Sequence, residues 1–226
     1  MPAAPRDIKF VLCPKNSDEF LDGRSLAKDI YKKSWGTNKM GDDYDIGIVA
    51  YEQNEVIGNI NIKLPDHKNK LPTDKYFIPG EIPEYAISNR RSMAELCGLS
   101  VSDQIKSEHR AYTLGGLIVG AHMAAYQSDI TVFATAQRKP LISKLQNMYH
   151  YPFDHSVGAD VSCENLPEDL YWQSNCKPNL YYIDLTSTKT IQSSMAILLK
   201  LSQFDINISN RLSLGEFINE KSQAMA

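Results

Sequence analysis

The sequence lacks the short motifs that identify several large classes of enzyme. It has no G-x-S-x-G nucleophile elbow, no Walker phosphate loop and no dinucleotide-binding fingerprint. Its cysteines are widely spaced and form no CxxC pair, namely Cys13, Cys97, Cys163 and Cys176. Its central histidines fall in no metal spacing with a carboxylate or a cysteine, namely His109, His122 and His150. We therefore predict no metal site and no permanently bound cofactor.

Positive charge and long apolar runs are also scarce. Lysine and arginine total 24 against 27 acidic residues, which gives a formal net charge of -3 and no basic footprint for nucleic acid. No run approaches the ~18 apolar residues of a membrane span. The N-terminal residues MPAAPRDIKFVLC hold no long apolar segment behind a basic one, so no secretory signal is expected. These features predict a cytoplasmic protein that binds no nucleic acid and does not span a membrane.

What the chain does contain is ordinary globular composition in an alternating α/β order. Hydrophobic residues make up 42% of the 226 residues and charged residues 23%. We predict one domain over residues 1–226, with a helical extension from about residue 187. Predicted strands cover 8–13, 46–52, 56–64, 93–101, 130–136, 159–163 and 179–185. Predicted helices cover 17–35, 114–127, 138–148, 186–203 and 214–221.

These elements predict an α/β fold with a mixed central sheet flanked by helices. The N-terminal strands pair antiparallel, and the fourth and fifth strands pair in parallel because a helix crosses over between them. Residues 65–92 are rich in proline and charge and are expected to form a long surface connection. That connection either caps a substrate site or docks a partner protein.

The helix after the fourth strand is expected to begin at Gly115 and Gly116. A helix start presents unpaired amide groups to an anion, so this turn predicts a phosphate-carrying ligand. Arg110 is the best single phosphate ligand nearby, against the alternative of a surface arginine near a helix start.

The order of elements resembles that of the GNAT-like N-acyltransferases over roughly residues 8–185. Within that fold the acidic loop Asp42-Asp43-Tyr44-Asp45 and the strand AELCGLSVSD resemble the acyl-homoserine-lactone synthases, or autoinducer synthases, and the N-acyl amino acid synthases. The resemblance implies that Asp42 and Asp45 shape the amino-acceptor side. It also implies that Glu95 handles the acceptor amine, because Glu95 matches the glutamate of their E-x-S-R motif.

The chain differs from autoinducer synthases at several motif positions. Gly98 and Asn61 stand where that family has arginine. Arg24 and Trp35 lie on the N-terminal helix, but their spacing and the intervening aromatic residue do not fit the family pattern; we include Trp35 among the acceptor residues. These differences favour N-acyl transfer over homoserine-lactone production.

The expected donor is a thioester. Arg110 to Gly116 matches the GNAT pyrophosphate loop [RQ]-x-x-G-x-[GA] only loosely, so acyl-carrier protein and acyl-CoA both remain candidate co-substrates. The backbone of Leu99, Ser100 and Val101 is expected to hold the thioester if the strand is splayed there, which Gly98 would permit. Otherwise Gly98 is only a small residue under a packed helix.

Glu95 is the candidate general base. A carboxylate on an otherwise apolar strand is desolvated, which raises its pKa; the alternative is a carboxylate paired at the strand edge. Tyr149 or Tyr151 is the candidate to protonate the leaving thiolate, and the alternative for both is aromatic packing. Cys97 would offer an acyl-enzyme route, but direct transfer is the main prediction.

We therefore predict an N-acyltransferase that moves an acyl group from acyl-carrier protein or acyl-CoA to an amino acid or related small amine. Two other functions stay open. One is an acetyl-CoA-dependent N-acetyltransferase, and the other is a non-catalytic module that binds an acyl ligand or a protein.

Overall fold

The computed structural model describes residues 8–37, 40–78, 80–156, 160–161 and 166–212. Its strands are β1 (Ile8–Pro14), β2 (Ile46–Glu52), β3 (Glu55–Lys63), β4 (Phe77–Ile78), β5 (Met93–Val101), β6 (Val132–Gln137), β7 (Asp154–His155), β8 (Asp160–Val161), β9 (Asn179–Asp184) and β10 (Asn207–Asn210). Its helices are α1 (Asp18–Trp35), α2 (Glu84–Ser88), α3 (Ser107–Gln127), α4 (Lys139–Tyr149), α5 (Leu170–Gln173) and α6 (Thr188–Ser202). Short 3₁₀ turns cover Pro72–Lys75 and Arg90–Ser92.

Eight strands form one mixed sheet in the order β10-β1-β2-β3-β5-β6-β9-β7. The pairs from β1 to β5 are antiparallel, and β5 pairs with β6 in parallel, because α3 crosses over between them. The predicted α/β class, the antiparallel N-terminal strands and the parallel pair are confirmed. The sequence pattern did not predict β10, which pairs in parallel with β1.

Helices cover both faces of this sheet. The main core joins alternate residues of β1, β2 and β3 to the apolar sides of α3, α4 and α6. On the other face Phe20 of α1 packs on β1 and β2, while Ala86 of α2 packs near β5, β6 and β9. The candidate site described below lies on this second face, between α1, α5 and the segment around residues 72–76.

The predicted start of α3 is wrong. The helix begins at Ser107, so Arg110, Gly115 and Gly116 all lie within it rather than in a loop before it. A Cβ at Gly116 would lie 2.0 Å from Cζ of Phe10, which means that glycine there lets the helix approach β1 closely. Gly115 likewise lies against the ring of Tyr149. The two glycines allow close packing inside a helix. Their amide groups are not free to bind the phosphate of an acyl donor.

Two further predictions need correction. Residues 65–92 contain α2, β4 and both 3₁₀ turns, and the connection buries Leu71 and Phe77 rather than running over the surface. Along α6 the sequence pattern predicts Ser193, Ser194 and Lys200 on the solvent side and Met195, Ile197, Leu198, Leu199 and Leu201 facing inward, and these predicted faces are partly reversed. Ser193 and Ser194 are buried, whereas Met195 and Leu199 are exposed, because the two serines bond inward to His150, His122 and Tyr151. The helix predicted over 214–221 lies outside the described residues.

Candidate active site

A β-bulge at Gly98 shapes the middle of β5. The register against β3 shifts between Asn59 and Asn61, so β5 carries one extra residue opposite Ile60. Gly98 has φ of 64°, which glycine adopts without strain. Pairing between β5 and β6 reaches only from Met93 to Glu95, although β6 continues to Gln137. Of the two possibilities left open at Gly98, the structure has the distorted strand, and Leu99 to Val101 lie beyond its pairing with β6.

A cavity of about 360 Å³ opens beside this splay. Its floor is β5 from Glu95 to Gly98 and the end of β6 at Gln137. Aromatic rings form much of the wall, namely Tyr31, Tyr44, Tyr76, Tyr171 and Trp172. Charged side chains also line it, namely Asp43, Lys63, Lys75 and Asp169. Its size and its mixture of aromatic and polar groups fit a small organic molecule.

Glu95 is the buried carboxyl group of this cavity. Its side chain is 7% exposed, and burial raises its pKa from 4.5 to about 7. The backbone N–H of Thr73 donates to Oε2 at 2.8 Å, which fixes the group and partly opposes that rise. Glu95 is therefore divided between its acid and base forms near neutral pH, as a proton acceptor requires.

The raised pKa of Glu95 predicts a pH-dependent stability. Between pH 4.5 and about 7 the folded protein holds a proton that the unfolded chain has lost. The free energy of unfolding therefore falls across this window, by about 3 kcal/mol, and stays lower above it. Glu95→Gln lacks this step, so the variant gains about 2 to 3 kcal/mol relative to wild type between pH 5 and pH 8. Denaturant unfolding of wild type and variant at pH 5 and pH 8 measures this gain. A stability difference that is the same at both pH values would contradict the raised pKa of Glu95.

Cys97 lines the same cavity two residues further along β5. Burial raises the pKa of its thiol well above the usual value, and the nearby Glu95 carboxylate acts in the same direction. The Sγ atom lies 3.6 Å from the carbonyl oxygen of Asn61. A neutral thiol is a poor nucleophile, so this environment favours direct transfer over an acyl-cysteine intermediate.

Beneath Gly98 lies a buried polar cluster centred on Arg24 of α1. Arg24 is 1% exposed, and it donates to Asn61 Oδ1 at 2.9 Å and to the carbonyl of Gly41 at 2.7 Å. Its guanidinium also stacks over the ring of Tyr44, 4.4 Å from the centroid. A Cβ at Gly98 would lie 2.8 Å from Asn61 Oδ1 and 3.1 Å from Arg24 Nη1. The backbone and the space at position 98 therefore exclude the arginine that autoinducer synthases have there.

The acidic loop holds its carboxylates in ion pairs. Asp42 pairs with Arg24 and Lys28, and these hydrogen bonds keep its pKa below the usual value although burial acts to raise it. Asp45 accepts from the backbone N–H of Leu64 at 2.7 Å. Asp43, between them, is the acidic residue of this loop that lines the cavity. Asp42 and Asp45 thus lie beside the cavity, and their acceptor-binding role stays a prediction.

Trp35 lies behind the cavity wall at the end of α1. Its ring meets Tyr171 edge to face at 5.6 Å, and the guanidinium of Arg138 lies 4.1 Å from its ring centroid. Tyr171 in turn donates its hydroxyl to the carbonyl of Ala136 at 2.8 Å. Trp35 therefore supports a residue of the wall.

The remaining donor-side residues lie near the end of β5 and in the first turns of α3. Ser100 is buried and donates to the carbonyl of Gly98 at 3.0 Å. Arg110, in the first turn of α3, is exposed and donates to the carbonyl of Asp103 at 2.7 Å. It stands near the helix start, where the first-turn amides face solvent or a ligand. The donor-binding roles of these residues stay predictions.

Neither candidate tyrosine borders the cavity that holds Glu95. Tyr149 donates its hydroxyl to the carbonyl of Ala111 and lines a separate cavity of about 140 Å³; burial raises its pKa to about 12. Tyr151 is buried and bonds through its hydroxyl to Ser194 at 2.6 Å. Both tyrosines join helices to one another, and their part in protonating a thiolate stays a prediction.

Sequence reasoning did not assign several cavity residues to the site, notably Lys63, Lys75, Tyr44 and Tyr171. Lys75 and Tyr76 belong to the 65–92 connection, and this segment lines the cavity. Its unusual length was the feature of the sequence that could have pointed to these residues. Within the described ranges no group of three or more metal-ligating side chains occurs, and no helix is long and apolar enough to cross a membrane.

Comparison with known proteins identifies the fold. No family model and no curated protein matches the sequence. Solved structures do match, and the chain has the fold of acyl-homoserine lactone synthases. The CoA-dependent synthase BjaI, solved with SAM and isopentyl-CoA, gives a TM-score of 0.61 at 12% identity, covering 96% of this chain and 99% of BjaI.

Two other synthases show the same relationship. LasI gives a TM-score of 0.52 at 14% identity, covering 84% of this chain and 94% of LasI. TofI, in a ternary complex with an inhibitor and MTA, gives 0.52 at 11% identity, covering 84% of this chain and 99% of TofI. The fold that the sequence resemblance implied is therefore confirmed. At such low identity the similarity concerns the fold alone.

Proposed function

We propose that this protein is an N-acyltransferase that moves an acyl group from a thioester to the amine of an amino acid or a closely related small amine. The observation that carries the proposal is Glu95, a buried carboxyl group with a pKa of about 7 in a cavity beside a splayed, bulged strand. The fold shared with acyl-homoserine lactone synthases supports it.

In the proposed reaction Glu95 takes a proton from the acceptor ammonium, directly or through a water molecule. The neutral amine attacks the thioester carbon, and the developing oxyanion needs hydrogen-bond donors. Backbone amides of β5 beyond Glu95, which do not pair with β6, supply candidate donors at Leu99 to Val101. The C–S bond then breaks, and the sulfur takes up the second amine proton, which leaves an amide and a thiol.

The cavity also indicates which amines would bind. Lys75 lines it and makes no ion pair with any described residue, whereas Lys63 is paired with Asp43 at 3.1 Å. A cation and a base in one cavity with aromatic walls suit an acceptor with a carboxylate near its amine, and with an apolar or aromatic side chain. The proposed acceptors are therefore amino acids rather than simple amines.

Replacing Lys75 with methionine tests the acceptor assignment. Losing a charge-assisted hydrogen bond is expected to raise KM for an amino acid about 10-fold or more, with kcat little changed. KM for the matching decarboxylated amine should stay within about twofold, because that amine lacks the carboxylate. Steady-state kinetics with phenylalanine and phenethylamine provide the comparison, and an equal rise for both would contradict the role of Lys75.

The function itself is tested by thiol release. Purified protein is incubated with acyl-CoA and acyl-carrier-protein donors of two to sixteen carbons and a panel of amino acids, and the products are identified by mass spectrometry. We expect an N-acyl amino acid with at least one donor. No thiol release with any donor and acceptor would overturn the proposal. A preference for the acetyl donor would favour the acetyltransferase alternative.

A non-catalytic module would have Glu95 turned toward solvent and a closed gap between β5 and β6. Glu95 is instead buried, and pairing between the two strands stops at Glu95 and Ala134. These observations favour an enzyme.

A further inference from the structure

A second, larger cavity lies at the opposite end of β6 from the candidate active site. It measures about 570 Å³ and lies between the end of α3 and α6. Thr131, just before β6, borders this cavity, while Gln137 at the far end of β6 borders the first. No described residue is shared between the two, so the second cavity is a separate feature of the fold.

The walls of this second cavity are mostly apolar. They include Val119, Met123, Ile130, Leu185, Ile191, Met195 and Leu198. Several apolar side chains around its mouth are left in solvent, among them Tyr126 at 84% exposed and Met195 at 52% exposed. An apolar molecule that entered would remove this surface from water, which is the main favourable contribution to binding.

Two buried polar atoms of lining residues have no partner among the described residues. They are Oε1 of Gln127 and Oγ1 of Thr131. Buried polar atoms in proteins are nearly always hydrogen-bonded. Both residues line the cavity, so rotation of either side chain would turn its oxygen toward a bound molecule. Because the rest of the cavity is mostly apolar, a fitting ligand would be apolar with one end that both donates and accepts hydrogen bonds.

Two other polar side chains of the cavity, His122 and Ser194, already have hydrogen-bond partners. His122 Nε2 donates to the carbonyl of Leu185 at 3.0 Å, so its neutral Nδ1 accepts from the hydroxyl of Ser194. Ser194 in turn accepts from Tyr151. Burial lowers the pKa of His122, which keeps this ring neutral. This chain of hydrogen bonds fixes His122 and Ser194 in place, and neither side chain carries a positive charge.

The charges of the cavity exclude one common class of ligand. None of the described residues that line it is a lysine or an arginine, and its one acidic lining residue is Asp129. A fatty acid carboxylate would lose its hydration without gaining a counter-charge. A neutral hydroxyl or amide end could hydrogen-bond to Gln127 and Thr131 without the cost of removing a charge from water.

We propose that this cavity is a binding site for a neutral amphiphile, an alkyl or aryl chain that ends in a hydroxyl or an amide. The apolar chain lies along α3 and α6, and the polar end bonds to Gln127 and Thr131. The proposal does not depend on the acyl-transfer function, because it rests on residues that the candidate active site does not use.

The test uses the full chain and the neutral fluorescent probe N-phenylnaphthylamine. We expect saturable binding of the probe, and its displacement by decanol and decanamide at concentrations at least about tenfold lower than by decanoate. Met195→Trp fills the cavity and should weaken probe binding about tenfold or more. Leu199→Trp adds the same ring at an exposed position of α6 outside the cavity, and should change binding less than about twofold.

A second pair of measurements keeps the test decisive. If Met195→Trp does not fold, Ile191→Trp replaces it, since Ile191 also lines the cavity and is 46% exposed. Thr131→Val should weaken decanol by about tenfold and leave the probe unaffected. Probe binding that survives both cavity-filling variants, displacement by decanoate as effective as by decanol, or no saturable binding would each overturn the proposal. The last result would point to a protein segment as the occupant.

Discussion

Glu95→Gln is expected to lower the turnover of N-acyl transfer by about 100-fold or more. Glutamine keeps the shape of the side chain and can still accept from the N–H of Thr73, but it cannot take a proton from the acceptor. In wild type, kcat/KM should rise as the pH passes through about 7, where Glu95 loses its proton. This rise should be absent in the variant. Thiol release across pH 5.5 to 9, with one acceptor and one donor, measures both effects.

The control for this variant is Glu55→Gln at the exposed first residue of β3. It should keep wild-type turnover and the wild-type pH profile. The unfolding experiment separates a lost base from a damaged fold, since Glu95→Gln should gain stability relative to wild type at high pH while it loses activity. If the turnover of the variant stays within a few-fold of wild type, Glu95 is not the general base. The proposed function would then be decided by the thiol-release assay alone.

Arg24→Ala is expected to lower the free energy of unfolding by about 3 to 5 kcal/mol. The change removes one of the two donors to Asn61 Oδ1, leaves the Gly41 carbonyl without its Arg24 donor, and removes the stacking on Tyr44. The loop that carries Asp42 would also lose its buried attachment to α1 and keep only the exposed pair with Lys28. We therefore expect acceptor binding to weaken even at temperatures where the variant stays folded. Denaturant unfolding and KM measurements for the acceptor give the two readouts.

Lys28→Ala is the matched control, because Lys28 pairs with the same Asp42 carboxylate from the surface of α1. The two side chains are 45% and 50% exposed, so water and salt screen the pair, and its removal should cost less than about 1 kcal/mol. Similar losses for Arg24→Ala and Lys28→Ala would mean that the buried cluster contributes no more than a surface ion pair.

The local features of the site were largely predictable from the sequence. An apolar run interrupted by one acid predicted both β5 and the raised pKa of Glu95. Gly98 in the same run left two possibilities open, a distorted strand or a small residue under a helix, and glycine suits the first because few other residues tolerate a positive φ at a bulge. The resemblance to autoinducer synthases predicted the fold, since the order of elements is a property of the whole chain.

The contacts between distant segments were not predictable in the same way. Gly115 and Gly116 looked like a helix start, but glycine inside a helix is also explained by close packing, and only the position of Phe10 distinguishes the two. Arg24, Asn61 and Gly98 lie on α1, β3 and β5, and single-sequence patterns do not show that they meet. The reversed faces of α6 have a similar cause, because Ser193 and Ser194 find partners on other elements.

The strand β10 has a practical consequence for any shortened version of this protein. It pairs along β1 from Lys9 to Leu12, and Arg211 then reaches Glu19 of α1. A version that ended after α6 would leave one side of β1 as an open row of amide and carbonyl groups, ready to pair with another chain. The segment up to Arg211 is thus needed to finish the sheet, and fusion partners belong beyond it.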